Sequence, residues 1–148
     1  NKKNYCMVRF VKLNLVLAWM TLIFITSSIT FSNSDSTAQK NLYDYVFDKD
    51  VHIILFGILA FLSASFFSTY HLKFRKVFFL VVFTAALYGF IDECHQIFVI
   101  GREASAYDLA FDVIGAIFGI GIYRILATAR TRVQSAKKYA KEQHVRLN

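Results

Sequence analysis

Residues 77–100 read VFFLVVFTAALYGFIDECHQIFVI: an apolar run from Val77 to Ile91, then Asp92, Glu93, Cys94, His95 and Gln96, then apolar residues again. As a helix, the run from Val77 to Ile91 rises about 22 Å, short of the roughly 30 Å of hydrocarbon in a bilayer. In a membrane, the charged residues therefore fall inside the far leaflet, where carboxylates persist only if they face a bundle interior, a water-filled cavity or a partner. The composition supports the membrane setting. Of 148 residues, 56% are hydrophobic, 16 are Phe and only 18% are charged, and the mean hydropathy is +0.44. A soluble domain of this length carries roughly a quarter charged residues and has too small a core for so much apolar surface.

Three further apolar segments flank this one. Leu13–Phe31 comes first, with a rise of about 28 Å, followed by SNSDSTAQKN; Val51–Tyr70 is second, joined to Val77 by the basic turn HLKFRK; Leu109–Tyr123 is fourth, with Arg124 placed to snorkel. The first segment, with Lys2, Lys3, Arg9 and Lys12 before it and Ser27, Ser28, Thr30 and Ser32 at its end, also fits a cleavable signal peptide, although it is long for one. Fourteen of the 17 Lys and Arg lie before the first segment, in the basic turn, or from Arg124 onward; only Lys40, Lys49 and Arg102 lie in the other two connections. The positive-inside rule then puts both termini in the cytoplasm and both longer loops outside. Nine of the ten carboxylates share the outer face, Glu142 being the exception. The expected fold is all-α: a four-helix transmembrane bundle over residues 13–126, with a basic cytoplasmic N-terminus, 1–12, and a basic tail, 127–148, lying as a helix or disordered strip near anionic headgroups.

Candidate chemistry gathers at the outer end. Tyr88, Asp92 and Gln96 recur at helical spacing, with Glu93 three before Gln96, so these side chains can project into one crevice. DKDVH places Asp48 one turn before His52, where it can orient and partly charge the imidazole, with Lys49 beside them. In GREASAYDLAFDVIGAIFG, Arg102 sits on the loop, and Asp108 and Asp112 are one turn apart. Gly115 and Gly119 continue that stripe, and Gly57, Ala60, Ala64 and Ser68 form a small face on the second segment; both read as packing surfaces that aim the polar ends inward. Cys6 and Cys94 fall on opposite sides of the membrane, so no disulfide is expected. His52, His95, Cys94, Glu93 and Asp92 include plausible zinc ligands, but one helix cannot aim Asp92, Glu93, Cys94 and His95 at one ion, and neither HExxH nor paired-ligand spacing occurs. No metal site and no cofactor are expected. The basic residues are not interleaved with aromatics, which argues against nucleic acid.

The segments DKDVHIILFGILAF, YGFIDECHQIFVIGR and SAYDLAFDVIGAIFG, in this order on a four-span chain, resemble the VanZ-like family of bacterial membrane proteins. The family pattern falls on Asp48, Lys49, His52, Glu93, Gln96, Arg102 and Asp108. This chain carries Asp112 where the family more often has Asn, which bears on the charge of the site, and Ile100 where a Pro often precedes the Gly-Arg pair; it contains no proline. The resemblance implies the bacterial cytoplasmic membrane and an association with resistance to the glycopeptide teicoplanin.

Three function classes follow. The first is binding or modification of an amphiphile at the outer leaflet, a lipid-linked cell-wall precursor or a lipoglycopeptide. Its substrate-binding set would be Asp48, Lys49, His52, Asp92, Glu93, Gln96, Arg102, Asp108 and Asp112; membrane lipids would lie around it, and His52 or Glu93 would be the base if chemistry occurs. The second is proton- or cation-coupled transport, which lacks comparable acidic groups in the inner halves of the segments. The third is structural: the charges pair with one another and set helix register.

Overall fold

The computed structural model describes the backbone of residues 2–28, 42–100, 102 and 104–147, and the side chains of residues 3–28, 49–100, 102 and 104–143. It contains four α-helices: α1 (Lys2–Ser28), α2 (Leu42–Phe67), α3 (Phe74–Gln96) and α4 (Ala106–Leu147). No strand occurs among the described residues. All four helices are long and apolar enough to cross a membrane. Each extends past its apolar segment, because a backbone once helical continues through polar residues that face partners or water. α3 carries on through Asp92 to Gln96, and α4 runs 42 residues into the basic tail. At 1.5 Å per residue α4 is about 63 Å long, twice the hydrocarbon thickness, and its residues 128–143 are exposed all round.

The α2–α3 connection is tight. α2 ends in a 3-10 turn, Ser68–Tyr70; His71 then takes a left-handed conformation with φ 54°, and its N–H bonds to Ser68 O at 3.2 Å. Lys73 is extended and α3 begins at Phe74. α4 begins on a cap: the Tyr107 N–H donates to Ser105 Oγ at 3.2 Å and the Asp108 N–H to Ser105 O at 3.0 Å.

α2 touches every other helix. Against α4 it runs parallel, and the contact is made through glycine: Gly57 faces Gly115, and a Cβ on Gly119 would fall against the carbonyl of Gly57. The absent side chains let the two backbones approach closely, as small residues do between membrane helices. Beneath the polar end lies a core of Phe56, Leu59, Ala60, Ala64, Val77, Val81, Ala85, Ala116 and Ile120, joined by Val16 and Ile23 of α1. The outer surface is lined with exposed Phe10, Phe79, Phe83, Phe90, Phe118 and Ile125, the arrangement of a bundle whose solvent is hydrocarbon.

The two ends of the bundle differ in charge. At one, Arg9 of α1 donates to Thr69 O at 3.1 Å and stacks over Tyr70, Lys12 donates to Ser65 O at 2.9 Å, and Arg124 lies over the Phe74 ring at 3.9 Å. Arg9 and Lys12 meet carbonyls at the C-terminal end of α2 and in the turn that follows it, where the helix dipole is negative. The carboxylates of Asp92, Glu93, Asp108 and Asp112 are at the other end. Cys6 and Cys94 are free and lie at opposite ends.

Candidate functional site

Three helices bury polar and charged side chains at one end of the bundle. From α2 come Lys49 and His52, from α3 Asp92, Glu93 and Gln96, and from α4 Asp108 and Asp112; all seven are buried. The register of α2 against α4 pairs them in order. Lys49 Nζ donates to Asp108 Oδ1, and one turn deeper His52 Nδ1 meets Asp112 Oδ1 at 2.8 Å. Deeper again, the glycine contact closes the same face. The His52 ring lies nearly parallel to that of Phe56, with centroids 6.3 Å apart, and Phe56 in turn meets Tyr88. Phe56 is thus the apolar floor of the cluster.

The polar face of α3 divides in two. Tyr88, Asp92 and Gln96 do line one stripe, and that stripe faces α1: Tyr88 OH donates to Met20 O, Ser27 Oγ donates to Asp92 Oδ1 at 2.6 Å, and Gln96 Nε2 donates to Asp92 Oδ2 at 2.9 Å. Both oxygens of Asp92 are thereby satisfied. His95 joins the α1 side, bonding to Ser28 Oγ at 3.0 Å and stacking on Phe24. Glu93 alone points the other way, toward α2 and α4. Its Oε2 accepts the backbone N–H of Ser105 at 2.6 Å. In a capping box that N–H would be taken by a carboxylate three residues on; here that carboxylate is Asp108, which is held by Lys49, and Glu93 of α3 fills the role. The positive end of the α4 dipole favours both carboxylates.

Two carboxylate oxygens have no hydrogen-bond partner among the described residues, Glu93 Oε1 and Asp112 Oδ2. Asp112 Oδ2 faces α3 at Gly89, where a Cβ would come within 2.5 Å of it. Glu93 stands one turn further along α3. His52, Glu93 and Asp112 each offer one ligand atom, all within 4.8 Å of one another.

Of the other residues singled out in the sequence, Arg102 is half-buried on the α3–α4 connection, its N–H closing a turn on Val99 O at 3.1 Å. The side chain of Asp48 lies outside the described residues. Sequence reasoning missed Ser27 and Ser28, which looked like the polar end of a leader segment, Ser105, and Gly89, whose importance is the side chain it lacks. The SAYD string was the one available signal for Ser105.

A profile of the VanZ/LLP1 family matches residues 11–127. The chain belongs to that family. Neither a curated protein nor a solved structure matches it. The stretch matched to VanZ/LLP1 holds the spanning parts of all four helices and every residue of the buried cluster, and it ends where the basic extension of α4 begins. This is a VanZ-like membrane protein.

Proposed function

We propose that this VanZ-like protein contributes to tolerance of teicoplanin and related lipoglycopeptides, by binding or modifying an amphiphilic cell-envelope molecule at the carboxylate end of the bundle. The end bearing Asp92, Glu93, Asp108 and Asp112 faces out of the bacterial cytoplasmic membrane in this reading, and both termini lie in the cytoplasm, as the distribution of Lys and Arg requires. The observation that carries the reading is the buried group of Lys49, His52, Glu93, Asp108 and Asp112, in which two carboxylate oxygens keep unused acceptor capacity. Ionisable groups inside a membrane bundle are expensive, and a purely structural cluster would satisfy every oxygen, as Asp92 does.

An anionic headgroup would compete with Asp108 for Lys49 and take up Arg102 at the loop, while its acyl part lies against the Phe-rich exterior. His52, held by Asp112, and Glu93, held by Ser105, are the two groups placed to take a proton from such a molecule. A transport route is less well supported: beneath His52 the buried residues among those described are the apolar Phe56, Leu59, Ala60, Val81, Ala85, Ala116 and Ile120 together with Ser63, whose hydroxyl does not make a chain of polar groups.

The test is teicoplanin and vancomycin susceptibility of a null host expressing the wild type, Glu93→Gln or Arg102→Ala, with membrane abundance measured for each. Wild type should raise tolerance, and both variants should lose it at equal abundance. Full tolerance in both variants, or none with the wild type, overturns the proposal.

A further inference from the structure

The group formed by His52, Glu93 and Asp112 has a chemistry that neither the ion pairs nor the amphiphile reading uses. One residue comes from each of α2, α3 and α4, and their ligand atoms lie within 4.8 Å of one another. Relative exposures of 7%, 7% and 0% put all three out of contact with bulk solvent. Each carboxylate spends one oxygen on the protein, Asp112 Oδ1 on His52 and Glu93 Oε2 on the Ser105 N–H, and keeps the other unpartnered among the described residues. The Ser105 N–H is an outer contact that fixes the Glu93 carboxylate while leaving a donor lone pair, which is how proteins prepare metal ligands, and the His52–Asp112 contact holds two of the three groups together. Gly89 contributes by absence, since any side chain there would press on Asp112 Oδ2.

We propose that His52, Glu93 and Asp112 form a binding site for a divalent transition-metal cation, with zinc the first candidate. Two carboxylates and a neutral imidazole carry the charge that one dication balances, whereas Lys49 is already engaged by Asp108. One nitrogen and two oxygen donors suit zinc or manganese; calcium and magnesium prefer all-oxygen shells, and Cys94 is not in the group. Zinc binds such ligands at about 2.0–2.2 Å, so donor atoms that now lie within 4.8 Å of one another would draw in to about 3.4 Å apart around it. Three protein ligands leave a coordination position for water or a ligand oxygen, the pattern of sites that act on a substrate. The proposal departs from the expectation of no metal, which weighed His52, Asp92, Glu93, Cys94 and His95 as ligands and did not include Asp112. It rests on the meeting of three helices and stands whether or not the tolerance reading does.

The experiment uses the full chain, tag-free, purified in detergent, stripped with a chelator and titrated with zinc and, separately, with cobalt as a spectroscopic probe. The wild type should bind one equivalent tightly, and X-ray absorption of the zinc form should show nitrogen and oxygen donors without sulfur. Glu93→Gln and Asp112→Asn should each weaken binding at least 10-fold, with gel-filtration profile and helical circular dichroism retained. No stoichiometric binding by the wild type, a sulfur-containing shell, or unchanged affinity in both variants overturns the site. Should either variant misfold, the wild-type stoichiometry and donor set decide by themselves.

Discussion

Replacing Gly119 by Ala should damage the bundle far more than the same change two residues on. A Cβ at Gly119 would sit 2.7 Å from Gly57 C and 2.9 Å from its Cα, as well as against its carbonyl oxygen. These are backbone atoms of α2, so no side chain can swing away. Restoring ordinary contact requires α2 and α4 to separate by about 0.7 Å or more, a gap at which a pairwise dispersion well loses a quarter to a half of its depth. Over the several dozen atom pairs of such an interface, at about 0.1–0.2 kcal/mol each, the loss is about 2 kcal/mol. Gly→Ala within a helix also brings about 1 kcal/mol of propensity gain, which obscures the effect unless it is matched by a control. Gly121 supplies the control: a Cβ there meets nothing within 4 Å. Gly119→Ala should therefore be about 2 kcal/mol less stable than Gly121→Ala. Gly115→Ala should behave like Gly119→Ala, because its Cβ would meet Ile53 Cα at 2.9 Å. The assay is reversible unfolding in mixed micelles, followed by circular dichroism. Equal stability of Gly119→Ala and Gly121→Ala would refute the glycine-mediated contact, and with it the register that brings His52 to Asp112.

Two further outcomes are expected. Lys49→Met alone strands Asp108 in a buried position and should cost about 3–5 kcal/mol, whereas the double variant Lys49→Met, Asp108→Leu should recover most of it; failure of the double variant to recover stability in the same unfolding assay would refute the argument that the cost lies in the stranded carboxylate. In a Cys6→Ser, Cys94→Ser background, a membrane-impermeant maleimide added to intact cells should label Ser36→Cys and spare Ser135→Cys, and the reverse pattern would invert the orientation drawn from the Lys and Arg distribution.

The spanning segments were legible in the sequence because hydropathy and length are local properties. About 20 apolar residues must be helical to enter a bilayer, whatever they pack against. The same holds for the charge asymmetry and for the small faces at Gly57 and Gly115, which proved to meet each other. Helix ends were less legible. α2 begins at Leu42, well before the apolar segment read from Val51, whereas the helical spacing read through Asp92 and Gln96 holds, and each residue from Asp92 to Gln96 except Cys94 finds a described partner as α3 continues through them.

The sequence by itself determined that the chain has four helices long and apolar enough to cross a membrane, and it grouped Asp48, Lys49, His52, Asp92, Glu93, Gln96, Arg102, Asp108 and Asp112 at one end without saying which of them meet. Only the tertiary structure decided how they pair. Helical spacing places Asp92 and Glu93 100° apart on α3, and which of the two faces α1 and which faces α2 and α4 depends on the rotation of α3 within the bundle. That rotation is set by contacts between residues far apart in the chain: Ser27 with Asp92, Gly89 against Asp112, and Glu93 with the Ser105 N–H. The convergence of His52, Glu93 and Asp112 therefore arises from the packing of three helices, and no single stretch of sequence encodes it.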